Sequence, residues 1–299
     1  MKEINELIRK YDIKPTGYKK YGKVIVVNTK EDRLVIREKN TNDIYEYLNS
    51  RSFNYYPKLL KEEGKYQIFE YIDGINMPEE QKMLDMISLV GLLHNKTTYY
   101  KSVDSDAYKQ IYEDISNNIE HLSNYYNDLI TIIENKVYPS PSELVLENNI
   151  SKIFASLNYA KGELSKWLEL VNNKTKQRYV LLHNNLSLDH YIRNENSYLI
   201  SWDKAKIDIP IFDLYKLYKK YALNFDFESI FKKYEKTYPL LEEEKKLLFI
   251  LITLPNKIEL NQTEYINTIL VSNMIETIYK TEKLLEEYSK PKKEYSNNK

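Results

Sequence analysis

The feature that most constrains this chain is a change of period. Between Lys23 and Tyr71 the apolar residues fall in short β-branched runs, whereas from Pro78 almost to the end they recur at helical spacing with one interruption. Lys23 to Thr29 and Arg33 to Lys39 flank the polar turn Lys30-Glu31-Asp32 and predict a hairpin. Asn42 to Ser50 reads as a helix, Tyr66 to Tyr71 as a further strand, and Asp73-Gly74 as a turn. The interruption consists of Arg178 to Leu182, Tyr191-Ile192 and Tyr198 to Trp202, short strand-like pieces between polar turns. An opening helix, Glu3 to Tyr11, carries Ile4, Leu7 and Ile8 on one face. The expected class is α+β, with a small β-rich part first and a large, mainly helical part after it. We expect a β-rich lobe with its hinge over 1–74, a helical lobe over 75–286 and a disordered tail over 287–299. The same pattern suits other α+β proteins, so the period narrows the class without fixing the fold.

Composition removes several functions. Lys plus Arg and Asp plus Glu number 44 each, so there is no basic excess for a nucleic acid to meet. Cys is absent and His occurs four times, which excludes disulfides and thiolate metal sites and makes zinc a poor expectation. The longest apolar run, Leu247 to Leu254, falls far short of the about 20 residues that span a bilayer. With no signal-peptide core in the first residues, the expectation is a cytoplasmic protein with neither a membrane nor a nucleic acid as partner.

Local patterns then narrow the fold. Val35-Ile36-Arg37 ends a strand, and Ile44-Tyr45-Glu46-Tyr47-Leu48 lies on the helix that follows. Pro57-Lys58-Leu59-Leu60 precedes Ile68-Phe69-Glu70-Tyr71-Ile72-Asp73-Gly74, and Leu89 to His94 closes the next helix. Leu182-His183-Asn184-Asn185-Leu186 is similar to an I-H-G-D-L loop, Leu199-Ile200-Ser201-Trp202-Asp203 to I-I-D-W-D/E, and Ile209 to Leu214 to g-x-P-x-x-D-L. In this order, over about nine-tenths of the chain, the set resembles the aminoglycoside and choline phosphotransferases of the protein-kinase-like superfamily. Leu247 to Lys257 is similar to a segment of the spore-coat, CotS-like branch. The resemblance implies a kinase-like two-lobed fold with Arg37 on nucleotide phosphate, Glu46 as its partner, and Glu70, Tyr71 and Ile72 along the nucleotide. It also implies ATP and Mg²⁺ as cofactors.

The residues that would do the chemistry are replaced. Phosphoryl transfer is mostly positioning and charge neutralisation, with carboxylate and amide oxygens holding Mg²⁺. On this resemblance the catalytic Asp falls on Asn185, whose amide does not take a proton near neutral pH. The metal-binding Asn falls on His190, a ligand suited to softer metals, and the metal-binding Asp falls on Ser201. Asp203, on the same face as Ser201 if that segment is a strand, and Asp189 are the residues that could hold a displaced metal. Between the first strand and Lys23 a phosphate loop would be reduced to Lys19-Lys20-Tyr21-Gly22.

Structural roles account for other notable residues. His183 is expected to brace its loop, His190 to fill space or hydrogen-bond, Asp213 to cap a helix or brace a loop, and Trp202 to pack in the core. The leading expectation is a pseudokinase with a scaffold or regulatory role, spore-coat associated, meeting a nucleotide and protein partners. The alternative is an active ATP-dependent phosphotransferase acting on a small-molecule hydroxyl.

Overall fold

A computed structural model describes residues 14–289 apart from 23, 31 and 40–43. The expected helix at Glu3–Tyr11 and the final ten residues lie outside the described residues. Among the described residues the strands are β1 Gly17–Tyr21, β2 Val24–Asn28, β3 Arg33–Glu38, β4 Leu59–Glu63, β5 Tyr66–Glu70, β6 Tyr99–Ser102, β7 Lys176–Leu182, β8 Tyr191–Arg193, β9 Ser197–Leu199 and β10 Lys206–Asp208. The helices are α1 Ile44–Ser50, α2 Glu79–Thr97, α3 Ser105–Glu134, α4 Pro141–Val171, α5 Ile211–Tyr221, α6 Phe227–Thr237, α7 Glu242–Thr253 and α8 Glu264–Ser289. The class expected from the sequence is the one observed.

The described residues form two compact units, one running to Thr97 and including His183–Ala205, the other made of Thr98–Leu182 and the residues from Lys206 onward. The first holds an antiparallel sheet in the order β1-β2-β3-β5-β4. The expected hairpin pairs Val24 with Arg37 and Asn28 with Arg33. Period 2 puts Ile25 and Val27 on one face with Leu34 and Ile36, and they meet Ile68 and Tyr66 in a small core. Lys19, Lys20 and Tyr21 belong to strand β1 rather than to a phosphate loop, and the chain turns at Gly22 with φ +57°. That conformation is one glycine adopts without steric cost. In the same unit β8 and β9 form a hairpin, and Gly74 passes the β8 residue Ile192 so closely that a Cβ there would lie 3.3 Å from its side chain.

The second unit is helical around the three-stranded sheet β10-β7-β6. Helices α3 and α4 form a hairpin closed by a capping device, with the Ser140 N–H donating to Glu143 Oε2 at 2.8 Å and Pro141 at the first helical position. Asp104 and Asp226 cap α3 and α6. Trp167, Tyr126, Tyr218 and Tyr234 fill the interior. Leu247, Leu248, Ile250 and Ile252 of the segment likened to spore-coat proteins are buried on α7, so they serve the core. Asp213 is buried in the first turn of α5, where Pro210 and not Asp213 holds the capping position. Among the described residues no helix is long and apolar enough to cross a membrane.

Candidate functional site

Arg37 sits near the end of β3, directly opposite Gln67 of β5. Its side chain is 11% exposed, and its guanidinium lies between two rings, 5.3 Å from the Tyr45 centroid and 4.9 Å from that of Phe69. Both contacts follow from geometry, since Phe69 is the diagonal neighbour of Arg37 across the ladder and α1 lays Tyr45 over the sheet. Nη2 donates to Gln67 Oε1 at 3.3 Å, Nη1 donates to Asp203 Oδ1 at 3.4 Å, and the buried Nε has no partner. Burial pushes the Tyr45 phenol up to about 12 against the pull of the Arg37 charge.

The loop from His183 to His190 is stitched to the segment from Ile200 to Lys204. His183 is fully buried, donates from Nε2 to the Ile200 carbonyl at 2.8 Å and stands edge-on to Trp202 at 4.8 Å. Trp202 in turn donates to the Leu199 carbonyl at 2.9 Å. Asn184 has φ +59° and donates from Nδ2 to the Lys204 carbonyl at 2.7 Å. His190 donates from Nδ1 to the Asn185 carbonyl at 2.7 Å. Since a carbonyl only accepts, the neutral imidazole carries its lone pair on Nε2.

Several sequence expectations meet here and others do not. Arg37 and Asp203 form an ion pair, although their residues are far apart in the chain. Glu46 is exposed and is not the partner of Arg37. Helix α1 buries Ile44 and Leu48, four residues apart, and Glu46 between them points away. Strand β9 ends at Leu199, and Ser201 takes a left-handed conformation, φ +66°, before the short 3-10 helix Trp202–Lys204. The strand alternation expected to align Ser201 with Asp203 therefore does not operate. Asp189 is exposed, and among the described residues no group of three or more His, Asp or Glu side chains is arranged to hold a metal ion.

Glu70 and Tyr71 are engaged elsewhere. Glu70 Oε1 accepts from the Lys58 N–H at 2.7 Å, while Tyr71 lies 4.3 Å beneath the Arg33 guanidinium, which pairs with Asp73. Arg33, Glu70, Tyr71 and Asp73 line a depression of about 570 Å³ where β3 begins and β5 ends, and Ile72 beside them is half-buried. Sequence reading missed Gln67 and Tyr45. A polar residue within the otherwise apolar run Tyr66 to Tyr71 was the available signal for Gln67, and it is 6% exposed.

No family model matches the chain, and no curated protein does. Solved structures do. An aminoglycoside phosphotransferase from Alicyclobacillus acidocaldarius superposes with a TM-score of 0.67 at 10% identity, covering 94% of each chain. A spectinomycin phosphotransferase, solved with ADP and spectinomycin, gives 0.51 at 14% identity over 94% of this chain and 98% of that one. At these identities the likeness is one of architecture. The chain has the protein-kinase-like fold of the aminoglycoside phosphotransferases.

Proposed function

We propose that this protein is a pseudokinase, a phosphotransferase fold that receives a nucleotide at Arg37 and does not transfer its phosphoryl group. The observation that carries the reading is the Arg37–Asp203 ion pair, which engages the carboxylate two residues after the replaced position Ser201. Asn185 supplies no base, Ser201 supplies no charge, and His190 is a poor Mg²⁺ ligand. Arg37 would meet a phosphate oxygen through Nη1, which the nucleotide would take from Asp203. ADP in the spectinomycin enzyme supports a nucleotide as the ligand here. The role that remains is scaffold or regulatory, with a spore coat as its setting on the sequence likeness.

The test is thermal stability with millimolar ATP, first with Mg²⁺ and then with EDTA. A ligand at about 100 times its Kd adds about 2.7 kcal/mol, which moves the melting temperature measurably. The expected shift is the same in both buffers, with no ADP formed. A shift that requires Mg²⁺, or ATP turnover that Asp203→Asn abolishes, overturns the reading.

One observation favours a second reading. The Nε2 lone pair of His190 offers a base where Asn185 offers none, so an active phosphotransferase would draw the substrate hydroxyl proton to His190. That enzyme loses turnover on His190→Ala while keeping its ATP-dependent thermal shift.

A further inference from the structure

The helical unit holds a second cavity whose chemistry is separate from the site at Arg37. It has a volume of about 450 Å³ and lies between the last turn of α5, the loop after α7 and the exposed side of α8. Three lysines, Lys219, Lys220 and Lys257, line it against a single carboxylate, Glu259. Between them stand Asn224, Asn273 and Thr277, neutral groups that hydrogen-bond oxygen.

Lys219 is the centre of this arrangement. Its ammonium donates to the Leu254 carbonyl at 2.6 Å and to Asn256 Oδ1 at 3.3 Å. Both acceptors are neutral, and an ammonium has three N–H groups to place. Leu254 caps the C-terminus of α7, so the helix dipole gives partial support, but among the described residues no carboxylate forms an ion pair with Lys219. A largely buried cation without a counter-charge is costly, and a pocket that places one on its wall is short of negative charge. Desolvation pushes the Lys219 amine down to about 8.

The other cations are only loosely neutralised. Lys257 lies over the Tyr125 ring at 4.6 Å with Glu259 3.8 Å away, and exposed Lys220 lies 5.0 Å over Tyr221. The loop itself is fixed in place. The Tyr126 hydroxyl donates to the Asn256 carbonyl and that of Tyr125 to the Ile258 carbonyl at 2.6 Å, so the wall need not be ordered when a ligand arrives. We propose that this cavity binds a small oxyanion bearing at least two negative charges, with Lys219 as its central ligand and Lys257 as a second.

The experiment uses the full chain at pH 7 and fixed ionic strength, with pyrophosphate and citrate as probes and melting temperature as readout. Each probe is expected to raise the melting temperature saturably. Lys257→Gln should weaken the apparent affinity at least threefold and Lys219→Met at least tenfold. Lys257 is partly exposed, so its variant reports even if Lys219→Met fails to fold. Arg37→Gln separates this site from the one proposed for nucleotide, and the shift should survive in it. A shift absent in the parent protein, unchanged in Lys257→Gln, or lost in Arg37→Gln overturns the proposal.

Discussion

Two residues in left-handed conformations show how much a single position decides. The I-H-G-D-L pattern puts glycine where this chain has Asn184, and φ there is +59°. Asparagine tolerates that region better than most residues, and its amide adds a bond to the Lys204 carbonyl that glycine could not make. Asn184→Ala loses both and should lower stability by about 1–2 kcal/mol, read from a denaturant midpoint at constant m. Arg37 and Asp203 differ in a similar way. Asp203 is 63% exposed, so solvent screens its half of the ion pair and its loss alone costs little stability. Arg37 is packed between Tyr45 and Phe69, and its removal costs packing as well as charge. Ser201 follows from no pattern in the sequence, because serine gives no sign that its φ is positive.

At the scale of elements, a buried bidentate ion pair joins β7 to α7 in the helical unit. Arg178 donates from Nε to Glu244 Oε1 at 2.9 Å and pairs through Nη2 with the other oxygen, while a further bond reaches the Pro239 carbonyl at 3.0 Å. The Tyr238 ring covers the guanidinium at 4.2 Å. Both side chains are less than a tenth exposed, so Glu244→Met strands a buried cation and should cost about 3–5 kcal/mol in urea unfolding. Glu244 also accepts the Leu241 N–H at 3.0 Å and caps its own helix. Element type was legible from period and caps. The hairpin β2–β3, strand β5 and most of the helical run follow from β-branched alternation and from i, i+3, i+4 spacing. Edge strands β6 and β10 were not legible. Each has only four or three residues, fewer than periodicity needs, and it is the partner β7 that makes them strands.

For the molecule as a whole, groups whose pKa moves on burial make stability depend on pH. Lys219 in the folded protein titrates near 8, below its ordinary 10.5, so from about pH 8 upward the unfolded chain holds more protons and stability rises with pH. Charged neighbours are Lys220 on α5, Lys257 and Glu259 on the loop, and Glu276 and Lys280 on α8, with Tyr125 and Tyr126 on α3. Buried tyrosines act in the opposite sense. Burial holds Tyr45 and Tyr108 at about 12, above their ordinary 10.0, so stability falls once the unfolded chain ionises beyond pH 10. Stability should therefore peak near pH 9–10, and Lys219→Met should remove the rise between pH 8 and 9.5 in chemical denaturation at stepped pH.

By itself the sequence determined the β-then-α order and which residues make up the loop from His183 to His190. These are local properties, carried by residue identity and by spacing along the chain. Tertiary structure alone decided that Arg37 pairs with Asp203 rather than Glu46, because that choice depends on which helix face turns toward the sheet and where β9 ends. It also decided that Lys219 lies on a cavity wall with only neutral acceptors for its ammonium, since burial and the choice of partner are properties of packing in three dimensions and not of order along the chain.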